Sequence, residues 1–143
     1  MRGEEYIVLA GRLVASPASG GAEARFRTAA SRAYYGAFHL AVALLTFWGL
    51  KVKQNAYGHQ EVYNMFWGSG HFEARKVASL LDDLRTERIK ADYRMDDPRF
   101  QEPPTAMMCV EMAEAVRSSL QRCQDDAEAI QQGIQQWRFL TGR

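Results

Sequence analysis

The sequence predicts an all-α fold, a bundle of four to five helices with two long central helices and a long C-terminal helix. Apolar residues recur at three- and four-residue steps from Phe26 to Trp48 (Phe26, Ala30, Ala33, Ala37, Ala41, Leu44, Trp48), the spacing of one helix face. A heptad stripe runs from Ala106 to Trp137 through Cys109, Ala113, Val116, Leu120, Cys123, Ala127, Ile130 and Ile134. No strand-like alternation of useful length and no internal repeat interrupts this pattern. At 143 residues the chain suits a single domain over 1–143. Its core is expected at about 4–125, with the C-terminal helix extending over about 126–141.

The first helix is expected from Glu4 to Val14, with Tyr6, Ile7, Leu9, Ala10, Leu13 and Val14 on its apolar side. Proline and paired glycines in Ser16-Pro-Ala-Ser-Gly-Gly21 then break it. The first central helix spans roughly Arg25 to Leu50. Its small residues, Ala29, Ala30, Ala33, Gly36, Ala37, Ala41 and Ala43, permit close approach of neighbouring helices, so it should be covered on several sides. From Ala33 to Leu50 there are 18 residues without formal charge, which reaches the length of a membrane span. Two tyrosines, two glycines, His39 and Thr46 within the run, and the absence of a second such stretch, argue for a buried helix and no membrane.

Lys51 to Gly58 reads as a polar connection, His59 to Trp67 as a short helix and Gly68-Ser-Gly70 as its end. That Gly-Ser-Gly lacks the strand and remaining glycines of a phosphate loop. Phe72 to about Tyr93 forms the second long helix, carried by Phe72, Val77, Leu80, Leu81, Leu84 and Ala91. Asp96 to Pro104 reads as a loop whose proline pair suits the first turn of the last helix. The stripe of that helix packs in the domain over its first half. Its second half either reaches across a partner chain or lies back along the bundle.

Charge nearly cancels, 18 Lys+Arg against 17 Asp+Glu, so no global field points to nucleic acid. Residues 1–53 carry seven basic and three acidic groups, net +4, which leaves net −3 in the remainder. The N-terminal stretch MRGEEYIVLAGRLVAS lacks the apolar core of a secretory signal, and a cytoplasmic location is expected. Cys109 and Cys123, about 21 Å apart along one helix, cannot bridge. They make no zinc pattern either, and no metal or cofactor is expected.

Two polar stripes stand out. Arg32, Tyr35 and His39 lie at i, i+3 and i+7 of the first central helix, and Arg85, Arg88 and Asp92 repeat that spacing on the second. A cation, a phenol and an imidazole on one line could bind a phosphate or move a proton. The same residues equally suit a hydrogen-bonded structural network or a solvated face, and spacing does not choose between these readings.

Ser31-Arg-Ala-Tyr-Tyr-Gly-Ala-Phe-His-Leu-Ala41 and Leu84-Arg-Thr-Glu-Arg-Ile-Lys-Ala-Asp-Tyr93, taken together, resemble the HEPN superfamily, in particular its small stand-alone proteins with "SRAYYAxFHA" and "RxxADY" helices. The resemblance spans roughly residues 4–125. It implies a four- or five-helix bundle, often a homodimer built around the long helices, and a place in toxin–antitoxin, defence or RNA-processing systems. Arg32, Tyr35 and His39 match the first motif, and Arg88, Asp92 and Tyr93 the second. Catalytic members are metal-independent endoribonucleases with a histidine four to six residues after an arginine. Counting from Arg85, Ala91 stands where that histidine would fall, and no histidine follows His71. Alanine supplies no group titrating near neutrality for RNA cleavage.

The resemblance therefore implies a nucleotide- or RNA-binding, toxin–antitoxin-type accessory module that works with a nucleotidyltransferase-like partner. One alternative is a metal-independent endoribonuclease using His39 with Arg85 or Arg88. The other is a non-catalytic helical dimer acting as a scaffold, motivated by the long C-terminal stripe.

Overall fold

The structure, a computed structural model, describes residues 2–17 and 20–143. The described residues contain six α-helices and no strand: α1 Gly3–Ala15, α2 Ala22–Phe47, α3 Gly58–Gly68, α4 Phe72–Tyr93, α5 Pro103–Asp125 and α6 Ala127–Thr141. Of the expected break at Ser16–Gly21, residues 18 and 19 lie outside the described residues.

α2 is the central helix, packed on by α1, α4 and α5. Its alanines at 29, 30, 33, 37 and 41 are fully buried. Small side chains let neighbours come close, most visibly where α1 crosses α2: a methyl added to Gly36 would lie 2.8 Å from the Gly3 carbonyl oxygen. Ile7, Phe66, Leu81, Leu84, Phe100 and Val116 fill the space between the helices. Together these form one continuous apolar core. Among the described residues no helix is long and apolar enough to cross a membrane.

Buried charge is placed at helix ends. Arg27 donates from Nη1 to the Ala91 and Lys90 carbonyls (2.9 and 3.3 Å) and from Nη2 to those of Met95 and Asp97 (3.2 and 3.3 Å). It thereby satisfies the Ala91 carbonyl in the last turn of α4 and ties down the connection that follows. Its guanidinium also lies 4.9 Å from the Phe100 ring centroid. Glu87, buried in α4, accepts from Arg99 at 2.9 Å, and Arg99 holds Asp97 at 3.0 Å. These contacts order the connection before α5. Expected as loop, it contains a 3-10 turn at Pro98–Gln101 with Phe100 buried beneath it.

The helix count and the C-terminal helix differ from expectation. The stripe from Ala106 to Trp137 belongs to two helices, because the chain leaves helical geometry at Asp126 (φ −117°, ψ 31°). There the Asp126 carboxylate meets His71 Nε2 at 2.9 Å, and Glu73 beside His71 pairs with Arg122. α6 then lies back on α3. Ile130 and Ile134 are fully buried in the chain's own core, and an added methyl at Gly133 would overlap the Ser69 carbonyl. Both cysteines fall in α5, buried and unbridged.

Candidate functional site

The α2 stripe faces α1 on one side and α4 on the other, and a chain of ring contacts joins them. The Arg32 guanidinium lies 5.9 Å from the Tyr6 ring centroid. Tyr6 stacks on His39 (5.8 Å, 24°), and His39 on Tyr35 (6.4 Å, 28°). The Arg88 guanidinium caps the far end, 5.6 Å from Tyr35 and 5.3 Å from Tyr34. His39 is exposed, while Arg32 and Tyr35 are half-buried, so the solvent edge of this seam is open to a ligand.

The charges along the seam are incompletely matched. The side chains of Arg32 and Arg85 form no hydrogen bond or ion pair with any described residue. Arg88 has only Asp92, at 3.6 Å and one helical turn away, and its Nε is buried without a hydrogen-bond partner. At 3.6 Å this is a loose pair within one helix, and it leaves the guanidinium with unused donors that suit a phosphate.

Behind the seam lies a second polar group that the two motifs do not contain. Tyr34, 3% exposed, has its hydroxyl 2.9 Å from Nδ1 of His59 on α3, itself 8% exposed. Burial pushes the Tyr34 phenol up to about 12, against the opposing pull of Arg88 and Arg85. The hydroxyl therefore keeps its proton and donates it to Nδ1. Burial first, and Arg85 next, lower the basicity of His59 more than Asp82 raises it. The imidazole is thus neutral near pH 7, with its proton on Nε2, which is buried without a hydrogen bond and faces Asp82 Oδ1 at 3.5 Å. Phe38 stacks on both rings (5.8 Å from Tyr34, 6.3 Å from His59) and closes the group from the seam side. A nitrogen so enclosed cannot reach a substrate; the Tyr34–His59 link fastens α3 to α2.

The structure thus brings Arg32, Tyr35, His39 and Arg88 into one seam, with Asp92 attached through Arg88 and Arg85 beside its inner wall. Tyr93 is 71% exposed and makes no ring contact, hydrogen bond or ion pair with a described residue. Asp92 orients Arg88; no contact joins it to Arg32 or His39. Ala91 is 1% exposed and faces the core, so this point of α4 presents nothing to the seam. Tyr6, Tyr34, Phe38, His59 and Asp82 were not foreseen in these roles. Tyr6 and Tyr34 sit at apolar positions of their helices and read as packing residues, and His59 and Asp82 join the group only once α3 has folded against α4. Among the described residues no set of three His, Cys, Asp or Glu side chains is placed to hold a metal ion.

No protein-family model, curated protein or solved structure matches the chain.

Proposed function

We propose that the chain is a non-catalytic module that binds a nucleotide or single-stranded RNA along the Arg32–Tyr6–His39–Tyr35–Arg88 seam, in the manner the HEPN resemblance implies. The observation that carries this reading is the pairing of unmatched arginines with an aromatic row whose His39 edge is exposed. Among the described residues Arg32 and Arg85 have no carboxylate partner, and the exposed His39 ring stands in a stack with Tyr6 and Tyr35. Arginine forks suit phosphate oxygens, and stacked rings suit unpaired bases, worth about 1–3 kcal/mol per base. Against ribonuclease chemistry, His39, the seam's imidazole, makes ring contacts and no hydrogen bond or ion pair with a described residue, so no described carboxylate orients it.

Fluorescence polarisation of a labelled single-stranded RNA, at two salt concentrations, tests the proposal with the natural protein and with Arg32→Gln and Arg85→Gln. Binding that falls with salt and weakens about threefold to tenfold in each folded variant is expected, for one lost phosphate contact. Unchanged binding in both variants would refute it. Cleavage of that RNA abolished by His39→Ala would instead favour the endoribonuclease reading. The toxin–antitoxin setting, the homodimer and the nucleotidyltransferase-like partner rest on the resemblance alone. Co-purification with a nucleotidyltransferase encoded beside this chain, and sedimentation at micromolar concentration, test them.

A further inference from the structure

A second feature, separate from the seam, lies where α6 returns onto α3. A cavity of about 480 Å³ opens there, lined in part by Lys53, Tyr57, Glu61, Trp137, Arg138 and Arg143. Its volume falls within the ~300–1,000 Å³ typical of small-molecule sites. We propose that this cleft binds a small planar aromatic phosphate of mononucleotide size.

One wall is flat. A methyl built on Gly68 would lie 2.5 Å from the Trp137 indole, so one side of the ring is seated directly on the α3 backbone. Tyr57 provides a second aromatic surface. The rim is cationic and uncommitted: the side chains of Lys53, Arg138 and Arg143 form no ion pair with a described residue, and Arg143 rests only on the Trp137 ring at 5.6 Å. Glu61 is the lone acid among the lining residues, and its Oε2 already accepts the Lys53 backbone N–H at 3.1 Å. The side-chain cations of the rim thus outnumber its one side-chain acid. A phosphate monoester, with about −1.5 to −2 at neutral pH and three acceptor oxygens, can engage several of them at once. Stacking on Trp137 with the phosphate turned to the rim satisfies both surfaces at once.

The test titrates adenosine monophosphate into the natural protein, followed by tryptophan fluorescence and by calorimetry, with adenosine and inorganic phosphate as separate arms. Saturable binding of the monophosphate is expected, with adenosine and phosphate each at least about tenfold weaker, since each engages only one of the two surfaces. Lys53→Gln/Arg138→Gln, or Arg138→Gln alone should the double variant melt early, is expected to weaken the monophosphate about tenfold. The variants separate the cleft from the seam: loss in the Lys53 and Arg138 variants reports the cleft, and loss confined to Arg85→Gln, beside the seam, reports the seam. Absence of saturable binding at millimolar ligand, equal affinity for adenosine, or a loss confined to Arg85→Gln would each overturn the proposal. The first two outcomes leave RNA binding at the seam to its own assay, and the third would move the monophosphate site to the seam.

Discussion

Replacing Tyr34 by phenylalanine isolates the hydrogen bond that closes off His59. The ring remains, and with it the packing on Phe38 and the face beneath Arg88. Only the hydroxyl is lost, together with its 2.9 Å bond to Nδ1. Because Nε2 has no hydrogen bond either, the buried imidazole would then have none at all. Removing one partner of a buried hydrogen bond strands the other, which costs about 1–3 kcal/mol against about 0.5–1.5 kcal/mol for the net bond, so the variant should lose about 1–3 kcal/mol. Urea unfolding at pH 7.5, followed by far-ultraviolet circular dichroism, reads this as a shifted midpoint at unchanged slope. Removing both partners, Tyr34→Phe with His59→Leu, should cost less than the two single losses added together, because no polar atom is then stranded. A single-variant loss below about 0.5 kcal/mol, or strict additivity in the double variant, would show that the contact does not fasten α3.

Three further outcomes follow from the same geometry. His59, among Tyr34, Asp82, Arg85 and Arg88, has its folded basicity lowered, so the unfolded chain takes up a proton first. Its share of stability is intact above the unfolded value near 6.5 and is lost as pH falls toward the folded one, with a slope of at most about 1.4 kcal/mol per pH unit; urea midpoints of His59→Leu should lack that slope between pH 7 and 5. Burial pushes both cysteine thiols up to about 12, so neither should react with a thiol reagent at pH 8 until urea is added, when both should. Gly133→Ala should raise the intrinsic helicity of α6 by about 0.8–1 kcal/mol and yet destabilise the protein, because its methyl meets the Ser69 carbonyl; faster amide exchange confined to α6 and the end of α3 is the expected reading, and a stabilised protein would contradict it.

Periodicity made most of the helices legible. Phe72–Tyr93 matches its expected limits, and the stripe is buried at Ala106, Cys109, Ala113, Val116, Leu120, Cys123, Ile130 and Ile134 and half-buried at Ala127 and Trp137. The break inside that stripe was not legible. No proline or glycine marks Gln124-Asp-Asp-Ala127, and a turn between two stripe positions leaves the three- and four-residue steps intact on both sides. What bends the chain there is tertiary: His71 reaching Asp126, and Gly133 and Trp137 seated against the end of α3. For the same reason the stripe gives little support to a dimer scaffold, since Ile130 and Ile134 already face the chain's own core.

The polar residues divide along a line that helical spacing cannot draw. Arg32, Tyr35 and His39 share one face by virtue of i, i+3, i+7 geometry, and that much a sequence contains. Whether a face is a site depends on what stands opposite it. Arg88 comes over Tyr35 because α4 lies against α2, and Tyr34, one position before Tyr35, is turned instead toward His59 and buried. Adjacent tyrosines of one motif therefore serve opposite ends: Tyr34 fastens a helix, and Tyr35 presents a ring beside unmatched charge. The histidine with the perturbed titration is accordingly the one sealed inside, and the histidine open to a ligand stands in a stack of rings. That arrangement favours holding a phosphate and a base over transferring a proton between them.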